Sequence, residues 1–232
     1  MSGKRYSELL KKFDRQAYYA LAEAITMAKS MATDKFDETI EIHFRLGIDP
    51  RHSDQQVRST VLLPHGLGKT VRVLVFAEGE DARLAQNAGA DIVADDEIIQ
   101  KIQKEGFLEF DATLSTPSMM KKVGVVARVL GPRGLMPNPK AGTVVEAQDL
   151  ERAVNELKAG RVEFRNDKTG NLHIPLGKAS FDAQKLIENA QAVVGAVSAQ
   201  QPSTMKGIYI RRVVVTSTMS PGVRVDLTTL NN

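Results

Sequence analysis

The chain contains no cysteine and no tryptophan. The absence of cysteine excludes disulfide bonds and thiolate metal ligands, and it suits a reducing compartment. The four histidines do not have the spacing that places two metal ligands on one helix face. No apolar run reaches the roughly 18 residues of a membrane span, and the first part of the chain lacks the apolar core of a signal peptide. We therefore expect a cytoplasmic protein with no metal, no cofactor and no membrane partner.

Acidic and basic residues are distributed unevenly along the chain. Residues 69–158 carry 12 Lys and Arg against 14 Asp and Glu, whereas the two flanks together carry 19 against 14. An acidic middle between basic ends is explained by a domain inserted into an outer domain that both chain ends build. We predict an outer domain of residues 1–68 plus 159–232 and an inserted domain of residues 69–158.

Residues 35–48 show the clearest periodicity in the sequence. Every second position from Ile40 to Ile48 is apolar. The residues between these positions are Thr39, Glu41, His43 and Arg45. This alternation predicts a strand with one buried face and one polar face. The polar face is either an ordinary solvated surface or a surface that meets a polar partner.

The middle of the chain has a different pattern. Residues 71–77 are almost continuously apolar, which is typical of a strand covered on both faces. Helical and strand patterns then alternate up to residue 158, so we predict a parallel sheet in a small doubly wound α/β domain. In the flanks the patterns predict a helical lead-in at 6–31, a strand at 57–63, a hairpin at 161–174, a helix at 181–197, and closing strands at 208–216 and 223–226. The patterns predict the α/β fold class.

Two features invite a nucleotide-binding interpretation. Gly68-Lys69-Thr70 looks like the end of a phosphate-binding P-loop, but Leu63 stands where that motif needs a glycine, and a strand follows instead of a helix. The first strand of the inserted domain is followed by residues 78–83, which lack the Gly-x-Gly-x-x-Gly motif and carry three acids. A nucleotide-binding α/β enzyme is the alternative function, and we predict no catalytic residue.

The basic flanks contain the residue types that suit structured RNA. Lysine and arginine neutralise phosphates, the ring of Phe36 can stack on a base, and the hydroxyls of Thr39 and Thr218 can bond to sugars and base edges. No helix rich in arginine and asparagine indicates a reader of the DNA major groove. These residues favour RNA binding without identifying the RNA.

Several longer motifs carry a resemblance to a known family. They are Phe36-Asp-Glu-Thr39, Leu46-Gly-Ile-Asp-Pro-Arg51, Leu63-Pro-His-Gly-Leu-Gly-Lys69, Leu130-Gly-Pro-Arg-Gly-Leu-Met-Pro-Asn-Pro-Lys-Ala-Gly-Thr143, Phe164-Arg-Asn-Asp-Lys-Thr-Gly170 and Thr218-Met219. Together they resemble the L-one family of bacterial large-subunit ribosomal proteins, over nearly the whole chain.

The resemblance implies a fold and a function. The fold would be an outer α+β domain that holds ribosomal RNA and an inserted Rossmann-like α/β domain, joined by a hinge of two strands. The protein would not be an enzyme. As part of the ribosome it would bind large-subunit ribosomal RNA, form the mobile stalk beside the exit-site tRNA and assist release of that deacylated tRNA. It would also repress its own operon by binding the operon mRNA.

The resemblance further implies three groups of RNA-binding residues. They are Lys35, Phe36 and Thr39; Arg165, Asp167 and Lys168; and Thr218, Met219 and Ser220. Two alternatives remain, because Phe36 could be a core residue at the start of the strand and Asp167 could serve only its turn. Ser220 stands where the family usually has glycine, so we expect either a less relaxed turn there or an RNA held slightly further away.

The stretch 131–142 is rich in glycine and proline and is the longest irregular segment. Long ordered loops of this kind either serve function or brace neighbouring elements. It could brace the inserted domain, or Arg133 and Lys140 could approach RNA as the resemblance implies.

Overall fold

The computed structural model describes residues 4–33 and 35–230. The chain divides into two compact units, and both mix helices with strands, which confirms the predicted α/β class. The outer unit is Met1–Gly68 with Val162–Asn232, and the inserted unit is Lys69–Arg161. The strands are β1 Thr39–Leu46, β2 Arg58–Leu62, β3 Val73–Phe76, β4 Ile92–Ala94, β5 Ala112–Ser115, β6 Arg161–Arg165, β7 Asn171–Lys178, β8 Ile210–Ser217 and β9 Val223–Val225. The α-helices are α1 Lys4–Leu9, α2 Leu21–Met31, α3 Glu80–Asn87, α4 Asp96–Glu105, α5 Met120–Val123, α6 Ala127–Leu130, α7 Leu150–Ala159 and α8 Ala183–Ala199.

The outer unit is built on an antiparallel sheet with the strand order β7-β1-β8-β9. The apolar residues of β1 are buried, and Ile40, Ile42 and Phe44 are at most 1% exposed. They join one core with buried residues of α2 and α8, whose apolar sides cover this face of the sheet. The intervening residues of β1 stay partly or fully exposed, so the predicted alternation between core and surface is confirmed.

The predicted hairpin at 161–174 is wrong. Strand β6 pairs with β2 in a separate two-stranded sheet, whereas β7 pairs with β1. The antiparallel pairing of β1 with β7 runs from Thr39 opposite Lys178 to Arg45 opposite Asn171, so β7 already has a partner on that edge. The turn between β6 and β7 therefore joins two sheets.

The inserted unit contains a parallel sheet with the order β4-β3-β5. All four residues of β3 are buried, and they alternate between two separate cores. Leu74 and Phe76 pack in a core with α4 residues, and Val73 and Val75 pack in a core with α3 and α7 residues. Helices on both faces make this a doubly wound unit, as the continuous apolar run predicted.

The residues from Pro117 to Leu130 form several short pieces instead of one continuous helix. Two 3-10 turns alternate with α5 and α6 between Pro117 and Leu130. Three valines and two lysines surround Gly124 in this segment, and β-branched residues and glycine weaken an α-helix. Across the described residues, no helix combines the length and the apolar composition that crossing a bilayer requires.

Candidate nucleic-acid interface

Two segments that are far apart in sequence meet at one end of the outer sheet. Because β1 and β8 are antiparallel, Ile40 lies opposite Ser217. One step further out, the backbone N–H of Thr39 donates to Oγ1 of Thr218 at 3.0 Å, across 179 residues of sequence. The structure thus brings together two of the three predicted groups. We call their six residues the strand-end platform: Lys35, Phe36, Thr39, Thr218, Met219 and Ser220.

A buried carboxylate holds the two halves of the strand-end platform together. Glu38 is 1% exposed. Its Oε2 accepts from the hydroxyl of Ser217 at 2.7 Å and from the backbone N–H of Met219 at 2.9 Å. Its Oε1 accepts from the guanidinium of Arg5 at 3.1 Å. Glu38 therefore fixes the position of the 218–220 turn relative to the start of β1.

The sequence analysis did not single out Glu38, although a signal was present. Ile42, Ile40 and residue 38 are spaced two positions apart, as residues on one face of a strand are. Residue 38 therefore lies on the core-facing side of β1, just before the strand begins. An acid at a core-facing position must be hydrogen-bonded or paired if it is buried. This spacing indicates that Glu38 is a structural carboxylate, but it does not identify Ser217 and Met219 as its hydrogen-bond partners.

The segment before β1 is also fixed from the other side, by the end of β7. The carboxylate of Asp37 accepts from the backbone N–H of Ser180 at 3.0 Å and from its hydroxyl at 2.8 Å. The ammonium of Lys178 donates to Oγ1 of Thr39 at 3.2 Å. Lys35 and Phe36 precede β1 rather than lying on it, and these contacts hold the backbone directly after them.

The most apolar groups of the strand-end platform face solvent. Phe36 is 52% exposed and Met219 is 51% exposed. Phe36 is therefore not a core residue, which removes that alternative. An exposed aromatic ring has a free face on which a base can stack.

The hydroxyl of Thr218 is already partly engaged within the protein. It accepts from the backbone N–H of Thr39 and lies 3.4 Å from the carbonyl oxygen of the same residue. Since a hydroxyl has one donor and two acceptor positions, only one acceptor position is left for a ligand.

Ser220 does not occupy the strained turn that was expected. In the described residues, every positive φ belongs to glycine, so Ser220 has an ordinary backbone conformation. Its Oγ accepts from the backbone N–H of Ser217 at 2.9 Å, and its own N–H donates to the Ser217 carbonyl at 3.2 Å. The serine side chain thus closes the turn with a hydrogen bond that glycine cannot make.

The third predicted group lies at the other end of β1. The backbone N–H of Leu46 donates to the carbonyl of Gly170, which places the turn 166–170 beside the last residue of β1. Since a strand rises about 3.3 Å per residue, this turn lies about 20 Å along β1 from Thr39. Arg165, Asp167 and Lys168 are therefore not part of the strand-end platform.

Asp167 organises the turn 166–170. Its carboxylate accepts from the backbone N–H groups of Thr169 and Asn171, both at 2.8 Å, and from their side chains. Partial burial would by itself raise the pKa of Asp167, but these hydrogen bonds outweigh it and hold the pKa well below its usual range. Asp167 thus has the turn role that the sequence left open, while Arg165 and Lys168 remain exposed beside it.

A histidine pair lies on the open face of the sheet between the two ends. His43 and His173 are opposite each other in the register of β1 and β7, and their Nδ1 atoms are 2.9 Å apart. Burial, together with the neighbouring imidazole, lowers the pKa of His43 to about 4. No group of three His, Cys, Asp or Glu side chains that could hold a metal occurs within residues 4–33 and 35–230.

At the place where doubly wound domains bind phosphates, a lysine of the inserted unit is paired with two acids. Ligands bind beyond the carboxyl ends of parallel strands. Beyond β3 and β4, the ammonium of Lys122 is paired with Glu78 and with Asp96. Two acids around one cation leave no positive charge for a nucleotide, which counts against the alternative enzyme.

The loop 131–142 forms contacts inside the inserted unit. The backbone N–H of Asn138 donates to Oγ1 of Thr143 at 2.7 Å, and the guanidinium of Arg161 donates to the carbonyl of Ala141 at 3.0 Å. These contacts support the bracing role. The side chain of Lys140 lies outside the described part of the chain.

The chain is similar to known ribosomal proteins over nearly its whole length. The profile of the ribosomal protein L1p/L10e family matches residues 28–221. The chain is 57% identical over 230 residues to a large ribosomal subunit protein uL1 of Chloroflexus aggregans, covering 99% of this chain and 97% of the relative. It is 57% identical to the uL1 protein of Chloroflexus aurantiacus, with 97% and 94% covered, and 55% identical to that of Thermosipho melanesiensis, with 98% and 97% covered. The chain therefore belongs to the ribosomal protein L1p/L10e family.

Proposed function

We propose that the protein is a structural, non-enzymatic constituent of the bacterial large ribosomal subunit and that it binds folded large-subunit ribosomal RNA in the cytoplasm. Family membership supports the ribosomal assignment. The observation that carries RNA binding is the strand-end platform, because Glu38 joins two distant segments, one of which exposes Phe36 and the other Met219.

The chemistry of the strand-end platform suits an unstacked base beside a sugar-phosphate backbone. The ring of Phe36 offers a stacking face, and the thioether of Met219 offers a soft apolar contact. Lys35 supplies a positive charge, and the remaining acceptor position of Thr218 can receive a ribose 2′-hydroxyl. Because hydrogen bonds already fix the backbone on both sides, little ordering entropy is lost on binding.

Truncation of the two exposed side chains tests this proposal. We expect Phe36→Ala to weaken binding of a large-subunit ribosomal RNA stem fragment by about 5- to 150-fold, because base–aromatic stacking contributes about 1–3 kcal/mol. Phe36→Ala/Met219→Ala should bind still more weakly. Since both side chains are about half exposed, neither truncation should change the thermal midpoint appreciably.

A matched control uses an exposed apolar residue of the inserted unit. Val125 is 56% exposed, so Val125→Ala changes exposed apolar surface without touching the strand-end platform. Its affinity for RNA should equal that of the wild type. Equal affinity of the wild type and the Phe36→Ala/Met219→Ala variant would contradict the proposal.

We also propose the finer functions that the family resemblance implies. The same outer unit binds a similar structure in the mRNA of its own operon, and the assembled stalk assists release of deacylated tRNA from the exit site. If one surface serves both RNAs, an operon mRNA fragment should displace the ribosomal fragment competitively, and Phe36→Ala should weaken both complexes. An mRNA fragment that binds without competition would contradict the shared surface.

A further inference from the structure

A cleft with many cations lies in the outer unit at the end of β1 opposite the strand-end platform. Its volume is about 580 Å³. Its cationic lining residues are Arg45, Arg51, Lys168, Lys206 and Arg211. All five are exposed, and they come from β1, from three connecting segments and from β8. Only Lys168 belongs to the predicted RNA-binding residues, so we call this surface the cationic cleft and consider it separately.

The five cations of the cationic cleft are not held in ion pairs with the described acids. Among residues 4–33 and 35–230, none of the five forms an ion pair within 4 Å. The only acidic lining residue is Asp49. Its carboxylate accepts from the backbone N–H of Arg51 at 3.0 Å and lies 3.9 Å from His52, so it serves its own turn. Several like charges around one concavity produce a strong local positive potential, which attracts anions.

The cationic cleft is also held in shape by the protein itself. The guanidinium of Arg45 donates to the carbonyl of Thr169 and to Oδ1 of Asn171, both in or next to the turn that Asp167 organises. Gly47 lines the same cleft, and a side chain there would approach the Ile208 carbonyl oxygen to 2.2 Å and Nε of Arg211 to 3.1 Å. These contacts fix the direction of Arg45 and keep the space beside Arg211 open.

We propose that the cationic cleft binds the phosphodiester backbone of the same RNA whose bases meet the strand-end platform. This inference rests on the proposed function and adds a second, sequence-independent contact region about 20 Å away along β1. The cleft contributes affinity through charge, because it offers guanidinium and ammonium groups and few apolar groups. The strand-end platform contributes shape and base recognition. A folded RNA that reaches both regions is bound more tightly than a short strand that reaches one.

The test removes positive charge from the cationic cleft but keeps Arg45, whose side chain is held by hydrogen bonds. The variant Arg51→Gln/Lys206→Gln/Arg211→Gln takes three charges from the cleft. The control Lys101→Gln/Lys104→Gln/Lys185→Gln takes three exposed charges that do not line it. Binding of the ribosomal RNA stem fragment is measured by fluorescence anisotropy between about 50 and 200 mM KCl.

The expected result is a change in the salt dependence. For the cleft variant the slope of log K against log[KCl] should become less steep by about 2–3 units, because each neutralised phosphate contributes about 0.9. The control variant also has a lower net charge than the wild type, which affects binding in a general way. Apart from this general effect, its slope should equal that of the wild type. Circular dichroism and the thermal midpoint confirm that both variants are folded.

The outcomes separate the two proposals. One outcome is that the wild type binds RNA and Phe36→Ala weakens this binding, while the cleft variant has the same salt slope as the control. In that case the cationic cleft is only a solvated surface and this inference is wrong. If the wild type itself does not retain the RNA fragment, the proposed function fails and the inference fails with it.

Discussion

The outer and inserted units differ in how their charges are arranged. In the inserted unit, several lysines and arginines are paired with acids on its own surface, as in Lys69 with Asp111, Lys158 with Asp91 and Arg161 with Glu156. In the outer unit, the five cations of the cleft have no acidic partner among the described residues, and a central acid, Glu38, is buried. Exposed ion pairs contribute little to stability, so the difference concerns binding more than folding. It leaves the outer unit with a cluster of positive charges that is available for a partner.

The largest expected effect tests the buried acid of the outer unit. Glu38→Ala should lower the free energy of unfolding of the outer unit by about 1.5–3 kcal/mol, because hydrogen bonds to a charged group contribute that amount and their donors would lose a partner. Hydrogen–deuterium exchange should show weaker protection of β1 and β8, with β3 unchanged. RNA affinity should fall as well, because the 218–220 turn loses its support.

An exposed acid of the inserted unit provides the control for this prediction. Glu105→Ala should change the free energy of unfolding by less than about 0.5 kcal/mol, as is usual for surface positions. Similar effects of Glu38→Ala and Glu105→Ala would remove the contrast between the two units.

A smaller effect concerns pH, since all four histidines lie in the outer unit. The pKa of His43 is about 4 in the fold and about 6.5 in an unfolded chain. As the pH falls, the unfolded state therefore binds the proton before the folded state does. The contribution of His43 to the free energy of unfolding is complete above about pH 6.5 and is lost as the pH falls towards 4. After allowance for solvent screening, we expect a loss of about 1 kcal/mol at about pH 5.

The measurement is urea unfolding of the outer unit at two pH values, followed by hydrogen–deuterium exchange. His43→Gln should make the free energy of unfolding less dependent on pH between about pH 6.5 and 5. His52→Gln should not, because its side chain is 65% exposed. The amides of β3 should report no histidine-dependent change. If the free energy of unfolding of His43→Gln changes with pH as steeply as that of the wild type, another group is responsible for the change.

The smallest expected effect concerns the turn of the strand-end platform. Ser220→Gly should lower the free energy of unfolding by about 0.5–1.5 kcal/mol, because the hydrogen bond to the Ser217 N–H is lost. Ser220→Ala removes the same hydroxyl without the flexibility of glycine, so it should cost less. A gain in stability for Ser220→Gly would mean that serine strains the turn after all.

The parts of the fold that follow from local pattern were predictable. The alternation around Ile42 required a half-buried strand, and the continuous apolar run around Val75 required a strand covered on both faces. The pairing of strands was less predictable, because β6 and β7 are joined by a short turn and still belong to different sheets. A turn motif shows that the chain reverses, but it does not show which neighbour accepts the backbone hydrogen bonds.

The candidate site was predictable only in its residue types. Phe36 and Thr218 were identified from motifs, and the sheet brings their segments together. Ser220 was expected to strain its turn, and the structure shows a hydrogen bond instead, because the turn uses a negative φ that any residue can adopt.

By itself, the sequence determined the periods of the strands and helices, the acidic middle between basic ends and the residue types that suit RNA. Only the tertiary structure decided that Glu38 bonds to Ser217, 179 positions away, and that the predicted site divides between the two ends of β1. It also decided that five cations line one cleft and form no ion pair among the described residues. The physical reason is the range of the interactions. Periodicity reflects neighbours along the chain, whereas a hydrogen bond or an unpaired charge depends on which distant strand lies alongside.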